Sequence, residues 1–230
     1  KKKQNVFRGE IYFLRGFFYA TLLKLYGGVP LLKTTLSFSD PIPSRSSEED
    51  VYNFIISDLD SAATLLPITQ EEVGRATKGA AIAEKAIISN FMNKYKEAAK
   101  YAKELITLGI YDLHPNYAEL FLPTYENNVE VIFDRQYMEN AKDKSLGSDI
   151  DQFFAPQMMG GWEAVSPTKD LIDTYECIDG KSIQESPLYD ENNPFLNRDP
   201  RLEYSILHDG SVIADKIFSS EGRVGDGNST

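Results

Sequence analysis

The stretch TKGAAIAEKAIISNFMNKYKEAAKYAKELITLGI, Thr77–Ile110, decides the fold. Its apolar residues recur every three or four positions in two blocks, which predicts two helices, the second of them ending at Gly109. Alanine residues occupy the positions where these helices face each other, and such small side chains allow a close approach. A pair of helices within 34 residues is typical of one tetratricopeptide hairpin.

Two further helices are predicted before this hairpin. In the first, two adjoining sets of apolar residues recur at helical spacing from Phe7 to Leu25, so we expect a helix that is buried on most sides and ends at Gly27. The second helix should begin at a capping box with Ser46 as the N-cap and Glu49 reaching back. The spacing assigns the aromatic residues of the first helix to the core rather than to ligand stacking: Tyr12, Phe13, Phe17, Phe18 and Tyr19.

After the hairpin, the pattern changes to short alternating runs and loops. Val129–Tyr137 alternates between apolar and polar residues as a strand does, and so do residues 202–206. Between them, Ser166 and Pro167 should begin a capped helix. The sequence therefore predicts a mainly α protein, with tetratricopeptide-like hairpins over residues 1–128 and an irregular α+β portion that faces the ligand over residues 129–230.

The composition excludes several classes of protein. The chain has 230 residues, a formal net charge of −11 and a pI near 4.7, so a nucleic-acid partner is not expected. Its single cysteine, Cys177, excludes an internal disulfide and a zinc site built from cysteines. No apolar stretch is long enough to span a bilayer as a helix. The polar residues 222–230, GRVGDGNST, lead us to expect a piece of a longer protein, truncated at its C-terminus.

Seven segments of this chain occur in an order that resembles the SusD/RagB family of outer-membrane, nutrient-binding lipoproteins. Together they extend from about residue 10 to about residue 210, and the chain is similar to the central portion of such a protein. The segments are FLRGFFYATLLKLYGGVPLL, SRSSEEDVYNFIISDLDSAATLLP, GRATKGAA, YKEAAKYAKELITLGIYDL, EVIFDRQY, SPTKDLIDTYECIDG and NRDPRLEYSIL.

The resemblance implies a SusD-like protein that binds oligosaccharide or polysaccharide without catalysis and without a cofactor. It implies a location at the cell surface, in the outer membrane, through a lipid anchor that is not present in this chain. It also implies a partner, a SusC-type TonB-dependent transporter, which the protein covers as a lid. The helical half would face the transporter, and the irregular half would hold the ligand.

Trp162, in the segment MMGGWEAV, is the first candidate for a sugar contact. Sugar rings have apolar C–H faces that stack on aromatic side chains, and the two preceding glycines leave the indole accessible. In the family that this chain resembles, a ligand-facing aromatic residue often lies here. Tyr137 would be a second stacking platform, and three side chains would hydrogen-bond sugar hydroxyls: Asp149, Asp151 and Gln152. Each assignment has an alternative. Trp162 would instead pack over the next helix, Tyr137 would be half-buried at the end of the strand, and the loop acids would only be solvated.

The segment NPFLNRDPRLEYSIL, Asn193–Leu207, concentrates charge at a turn between two prolines. A catalytic role would need a nucleophile or a second positioned carboxylate, and none is close in sequence. The prolines favour a rigid turn, and Asp199 has Arg198 and Arg201 as candidate bidentate partners. We therefore interpret Arg198, Asp199 and Arg201 as a structural anchor, in keeping with the family signature that this segment resembles.

Three alternatives stay open. A glycoside hydrolase would use two carboxylates, and Asp170 and Asp173 are one helical turn apart. A peptide-binding member of the same family is the second alternative, and a helical-repeat adaptor for protein partners is the third. A calcium ion would use loop acids such as Asp190 and Glu191, although no EF-hand spacing supports such a site.

Overall fold

The computed structural model describes residues 2–37, 39–41, 43–138, 147–213 and 215–220. The polar tail, residues 222–230, lies outside the described residues. The prediction of a mainly α fold is confirmed, and none of the described helices is both long and apolar enough to cross a membrane. The elements are α1 (Lys2–Tyr26), α2 (Glu48–Leu65), α3 (Lys78–Phe91), α4 (Tyr95–Thr107), α5 (Ile150–Phe154), α6 (Lys169–Thr174), α7 (Pro200–Ser205), the antiparallel strands β1 (Val212–Ile213) and β2 (Lys216–Ile217), and 3-10 turns at Pro123–Tyr125 and Gln157–Met159.

The chain folds as two compact units. The helical unit comprises Lys1–Pro115 and Thr124–Gln136, and it contains α1 to α4. The loop-rich unit comprises Asn116–Pro123 and Tyr137–Thr230, and it contains α5 to α7 and the two short strands. Residues 124–136 therefore pack with the helices that precede them in the chain.

Helices α3 and α4 form the predicted hairpin. The hydroxyl of Thr77 caps α3 by accepting a hydrogen bond from the Ala80 N–H at 3.2 Å. A Cβ at Gly79 would lie 2.2 Å from the hydroxyl oxygen of Tyr111, so a glycine is needed where this ring covers the first turn. Gly109, with a φ of 65°, follows the last turn of α4.

Helix α1 packs on α2 through a face that includes small residues. A Cβ at Gly16 would lie 3.1 Å from the Leu59 side chain, so the glycine lets the two helix backbones approach closely. The expectation that α1 is buried on most sides is wrong, because only this face meets the other helices. The opposite face is a stripe of six large apolar residues with exposed fractions of 38–68%: Phe7, Ile11, Leu14, Phe18, Leu22 and Leu25.

The segment Val129–Tyr137, predicted as a strand, is irregular, and two of its residues pack against the core of the helical unit. The Phe133 ring meets the Phe13 ring edge to face, with centroids 4.8 Å apart, and Ile132 is partly buried against the same cluster. Ile132 and Phe133 are adjacent in sequence and both face the helices. In a strand, adjacent side chains would point to opposite sides. The strands that the structure describes lie elsewhere, at β1 and β2.

Three helix starts differ from the sequence-based expectations. Ser47 rather than Ser46 caps α2, because its hydroxyl pairs with both the N–H and the carboxylate of Asp50. Thr168 rather than Ser166 caps α6. Residues 200–205 form helix α7 instead of a strand.

Helix α7 begins at Asp199-Pro200. The Asp199 carboxylate accepts a hydrogen bond from the Arg201 N–H at 2.9 Å, and Pro200 occupies the first helical position with a fixed φ. Leu202 and Ile206 are four residues apart, and both are buried. Their spacing is compatible with a helix as well as with a strand, and the cap decides between the two.

Two carboxylates are buried among the helices. Asp58 forms a bidentate pair with the Arg15 guanidinium, with N–O distances of 2.6 and 2.8 Å. Glu84 is 6% exposed, and the Lys24 ammonium lies 3.5 Å from its Oε1 atom. Burial raises the pKa of Glu84 above its ordinary value, and Lys24 offsets this rise only in part.

We predict that Glu84→Gln stabilises the helical unit at neutral pH. A carboxyl whose pKa is raised by folding contributes stability below its unfolded pKa, near 4.5, and loses it as the pH rises through the folded pKa. The variant should therefore have a higher Tm than the parent at about pH 7 and the same Tm at about pH 4. Thermal unfolding followed by circular dichroism checks this.

The control is Glu104→Gln on the exposed surface of α4, which should leave Tm unchanged at both pH values. A lower Tm for Glu84→Gln at neutral pH would contradict the prediction, because it would mean that the attraction to Lys24 outweighs the burial of the charge.

Candidate functional site

Residues 149–164 form a compact lobe around α5, here called the Trp162 lobe. The chain leaves α5, makes the 3-10 turn Gln157–Met159 and returns beside its starting point. The returning backbone donates hydrogen bonds from Trp162 N to Gln152 O at 2.7 Å and from Ala164 N to Phe153 O at 2.9 Å. The position of the Trp162 backbone is therefore fixed by main-chain contacts.

Two glycines allow the lobe to close. Gly160 has a φ of 84°, in the left-handed region that favours glycine. A Cβ at Gly161 would lie only 2.1 Å from the Ala155 carbonyl oxygen. Gly161 thus permits two backbone segments to touch immediately before Trp162.

Trp162 presents its indole at the surface of this lobe. Its ring meets the Phe153 ring edge to face, with centroids 4.9 Å apart, and the two side chains are 54% and 43% exposed. Phe153 holds the indole from one side and leaves the rest of it open. A half-exposed aromatic face of this kind can stack on the C–H face of a sugar ring.

Of the other candidate residues, Asp149, Asp151 and Gln152 belong to the lobe, whereas Tyr137 lies outside it. Asp149 precedes α5, and the Gln152 carbonyl bonds the Trp162 backbone. Asp151 lines the cavity described next. Tyr137 is 49% exposed, and the described wall of the cavity does not include it.

A cavity of about 1020 Å³ opens beside the Trp162 lobe within the loop-rich unit. Its size suits a ligand of a few sugar rings. The lobe contributes Phe154 and Met159, and further apolar wall residues include Leu171 in α6, Tyr175 directly after it, Phe195 before the proline turn, and Ile206, Ile213 and Phe218 after α7. Sequence reasoning missed these wall residues, because no single segment displays them as a pattern.

Arg198 joins the segments on either side of this cavity. It is 5% exposed, and its guanidinium donates hydrogen bonds to the carbonyl oxygens of Ile172, Tyr175 and Pro194 at 2.7, 2.8 and 2.7 Å. One side chain thus binds the end of α6 to the turn that carries Phe195. Hydrogen bonds from a charged donor are stronger than neutral ones, and the planar guanidinium can serve several acceptors at once.

Backbone contacts continue the same junction. Cys177 and Arg198 form an isolated antiparallel bridge, and the Asp199 N–H donates to the Glu176 carbonyl at 2.9 Å. Cys177 itself is buried, 2% exposed, which suits a packing role. The Arg201 guanidinium forms a salt bridge with the Asp199 carboxylate, and this contact lowers the pKa of Asp199. Arg198 and Arg201 therefore have different partners, carbonyls for the first and Asp199 for the second.

Two of the acids considered for catalysis and for calcium, Asp173 and Asp190, have local partners. Asp173 pairs with Lys169 on α6, and neither Asp170 nor Asp173 lines the cavity. Asp190 accepts hydrogen bonds from the Asn193 side chain and from Asn192, which lower its pKa. Among the described residues, no group of three or more potential metal ligands occurs.

Two family models match this chain. Residues 1–90 match a family described as "Starch-binding associating with outer membrane". Residues 129–229 match the SusD family. The second match includes the Trp162 lobe, the cavity and the Arg198 junction.

Known proteins are similar over much of the chain. SusD-like protein P38 of Formosa agariphila is 30% identical over 181 residues, 70% of this chain and 36% of that protein. The starch-binding protein SusD of Bacteroides thetaiotaomicron is 30% identical over 128 residues, 53% of this chain and 22% of that protein. A crystal structure of a SusD-like carbohydrate-binding protein from Bacteroides fragilis superposes with a TM-score of 0.87 at 31% identity, covering 97% of this chain and 44% of that chain. The chain thus spans less than half the length of each.

We predict that Arg198→Ala destabilises the loop-rich unit by about 3 kcal/mol or more, because three carbonyl acceptors lose their charged donor. Denaturant unfolding measures the change. The matched control is Arg201→Ala, which removes a largely exposed partner of Asp199 and should cost about 1 kcal/mol or less. Equal costs for the two variants would contradict the role given to Arg198.

We also predict that Gly161→Ala displaces Trp162, since the added methyl group cannot fit against the Ala155 carbonyl. The fluorescence of Trp162, the one tryptophan of these 230 residues, should shift towards the emission of a fully hydrated indole. Gly160→Ala is the control: it costs about 1 kcal/mol of backbone strain but meets no neighbour within 4 Å, so the emission should stay unchanged. An unshifted spectrum for Gly161→Ala would overturn this account of the lobe.

Proposed function

Because the chain belongs to the SusD family, we propose that it binds a glycan through the Trp162 lobe and the adjacent cavity. The observation that carries this proposal is the half-exposed Trp162 indole, whose backbone is held by a main-chain hydrogen bond in a lobe that also lines a cavity of about 1020 Å³. Trp162 itself is not part of the described cavity wall, whereas its neighbour Glu163 is. The relatives described as starch-binding and carbohydrate-binding support the same class of ligand.

The proposed binding combines stacking with hydrogen bonds. The indole face covers the apolar C–H face of one sugar ring, and Phe153 keeps the indole from rotating away. The Asp151 carboxylate accepts hydrogen bonds from sugar hydroxyls in the cavity, and the Asp149 and Gln152 side chains do so along the lobe. Tyr137 is proposed as an outer platform for a longer chain of sugars.

The proposed protein captures its glycan and does not cleave it. Glycoside hydrolysis needs two carboxylates on opposite sides of the scissile bond. Asp170 and Asp173 lie side by side on α6, outside the cavity wall, and Asp173 is paired with Lys169. The pair of acids considered for hydrolysis is therefore not placed on the cavity wall.

We also propose that the protein is held on the outer membrane by a lipid anchor and acts there as the lid of a SusC-type TonB-dependent transporter. The match to a family described as starch-binding and associating with the outer membrane supports this location. The helical unit would face the transporter. Co-purification of a tagged full-length protein with a TonB-dependent transporter from its native membrane tests the partnership.

We predict that Trp162→Ala weakens glycan binding by about tenfold or more, because the stacking surface is lost. The measurement is affinity electrophoresis of the full-length protein through gels that contain one polysaccharide each. Trp162→Phe should recover part of the retardation, since a smaller aromatic face remains. Tyr95→Ala, which removes a 63% exposed aromatic residue from α4, is the matched control and should migrate like the parent.

The outcomes separate the candidate functions. Retardation by one polysaccharide that Trp162→Ala abolishes supports the proposal. Release of shorter sugars during incubation would instead support a hydrolase, and binding of peptides without glycan retardation would support a peptide-binding member of the family. Retardation that Trp162→Ala leaves intact would remove Trp162 from the site.

A further inference from the structure

Three exposed aromatic side chains form a second cluster in the loop-rich unit, here called the Tyr204 platform. It consists of Tyr117, Phe121 and Tyr204, with exposed fractions of 38%, 77% and 60%. The Tyr117 ring lies tilted beside the Tyr204 ring, with centroids 6.4 Å apart, and it meets the Phe121 ring edge to face at 5.8 Å. None of the three belongs to the described wall of the cavity. The three rings form one aromatic surface outside that wall.

The local backbone explains why these rings are exposed. Tyr117 and Phe121 lie on either side of a turn, in which the Leu120 N–H donates a hydrogen bond to the Tyr117 carbonyl at 3.3 Å. Tyr204 lies on α7, two residues after the buried Leu202. Two positions along a helix are about 200° apart around its axis, so the burial of Leu202 turns Tyr204 outward.

Polar groups border the Tyr204 platform. The Tyr117 hydroxyl lies 3.3 Å from the Ser205 hydroxyl, which helps to fix the ring. Arg201 precedes Tyr204 by three residues on α7, and its guanidinium forms a salt bridge with Asp199. This carboxylate is the main cause of the raised pKa of Arg201, and Tyr117 contributes more weakly. Aromatic rings bordered by hydroxyl and guanidinium groups match a sugar ring, which has apolar C–H faces and hydroxyl groups around its edge.

The Tyr204 platform adjoins the cavity. Ser205 lines the cavity, and its hydroxyl contacts Tyr117. On the Trp162 lobe, Glu163 lines the same cavity and directly follows Trp162. Two exposed aromatic sites therefore border one cavity, and each is connected to it by a wall residue.

We infer that the Tyr204 platform is a second stacking site, which binds a further stretch of the same glycan chain; the inference rests on the proposed glycan-binding function. A short oligosaccharide contacts the Trp162 lobe and the cavity only. A longer chain also reaches the platform, and this second contact is made within a complex that has already formed, so it adds affinity without a second loss of translational freedom. The ligand class is therefore a polysaccharide with many sugar units, which the protein prefers to its short fragments.

The test compares one glycan in two lengths. The polysaccharide that retards the full-length protein is cut by partial hydrolysis, and dissociation constants are measured by titration calorimetry for the polymer and for the shortest fragment that still binds. Tyr204→Ala should weaken binding of the polymer at least about fivefold, because a stacking surface is lost, and should change binding of the short fragment less than about twofold. Trp162→Ala should weaken binding of both.

Two further variants and a direct readout isolate the effect of stacking. Tyr204→Phe keeps the aromatic ring and should bind both lengths like the parent. Tyr95→Ala, which removes a 63% exposed tyrosine from α4, is the matched control and should also bind both like the parent. In hydroxyl-radical footprinting, the polymer should protect Tyr204 and Phe121 from oxidation, whereas the short fragment should not. Tyr95 should be oxidised equally in all samples.

Each outcome decides the inference. If Tyr204→Ala weakens binding of both lengths equally, or of neither, the platform is not a separate site and the inference is overturned while glycan binding stands. Protection of Tyr204 in the free full-length protein would also overturn it, because another part of the polypeptide would then cover the platform. If no polysaccharide binds, the proposed function itself fails and the inference falls with it.

Discussion

The guanidinium of Arg198 is the contact on which the loop-rich unit depends. This unit has only short helices and a two-stranded ribbon among its described residues, so regular hydrogen bonding cannot hold its segments together. Arg198 connects the end of α6 to the turn that carries Phe195, and both contribute to the wall of the cavity.

The helical unit achieves its order by a different physical route. Its helices approach closely where glycine and alanine occur and pack around larger apolar residues such as Phe13, Ile55 and Leu59. Where charges are buried there, as at Arg15–Asp58, they are paired. Regular packing makes this unit a rigid element, whereas the loop-rich unit, with its irregular backbone, can present side chains such as Trp162 in orientations that a helix does not offer.

The two units also differ in how far the sequence predicts them. The α3–α4 hairpin follows from alanine periodicity and Gly109, since both signals are local. The sequence does not predict which face of α1 is covered. The spacing of its apolar residues shows two apolar faces but does not tell which of them meets α2. At α7, the alternation of apolar and polar residues predicted a strand. The pair Asp199-Pro200 could have been recognised in the sequence as a helix start, and it is this cap that decides for the helix. Trp162 was found as an accessible side chain, but the cavity beside its lobe was not, because the wall residues Phe195, Ile206 and Phe218 come from separate segments that show no common pattern.

The Trp162 lobe separates the residues that give it shape from the residues that it displays. Its path is set by main-chain hydrogen bonds and by the contact of Gly161 with a carbonyl group, neither of which involves the exposed side chains of Met158 and Trp162. Those side chains are therefore interchangeable without redesign of the loop. The lobe is therefore suited to protein engineering. Substitutions at two or three of the exposed positions would change the ligand preference while the backbone stays the same.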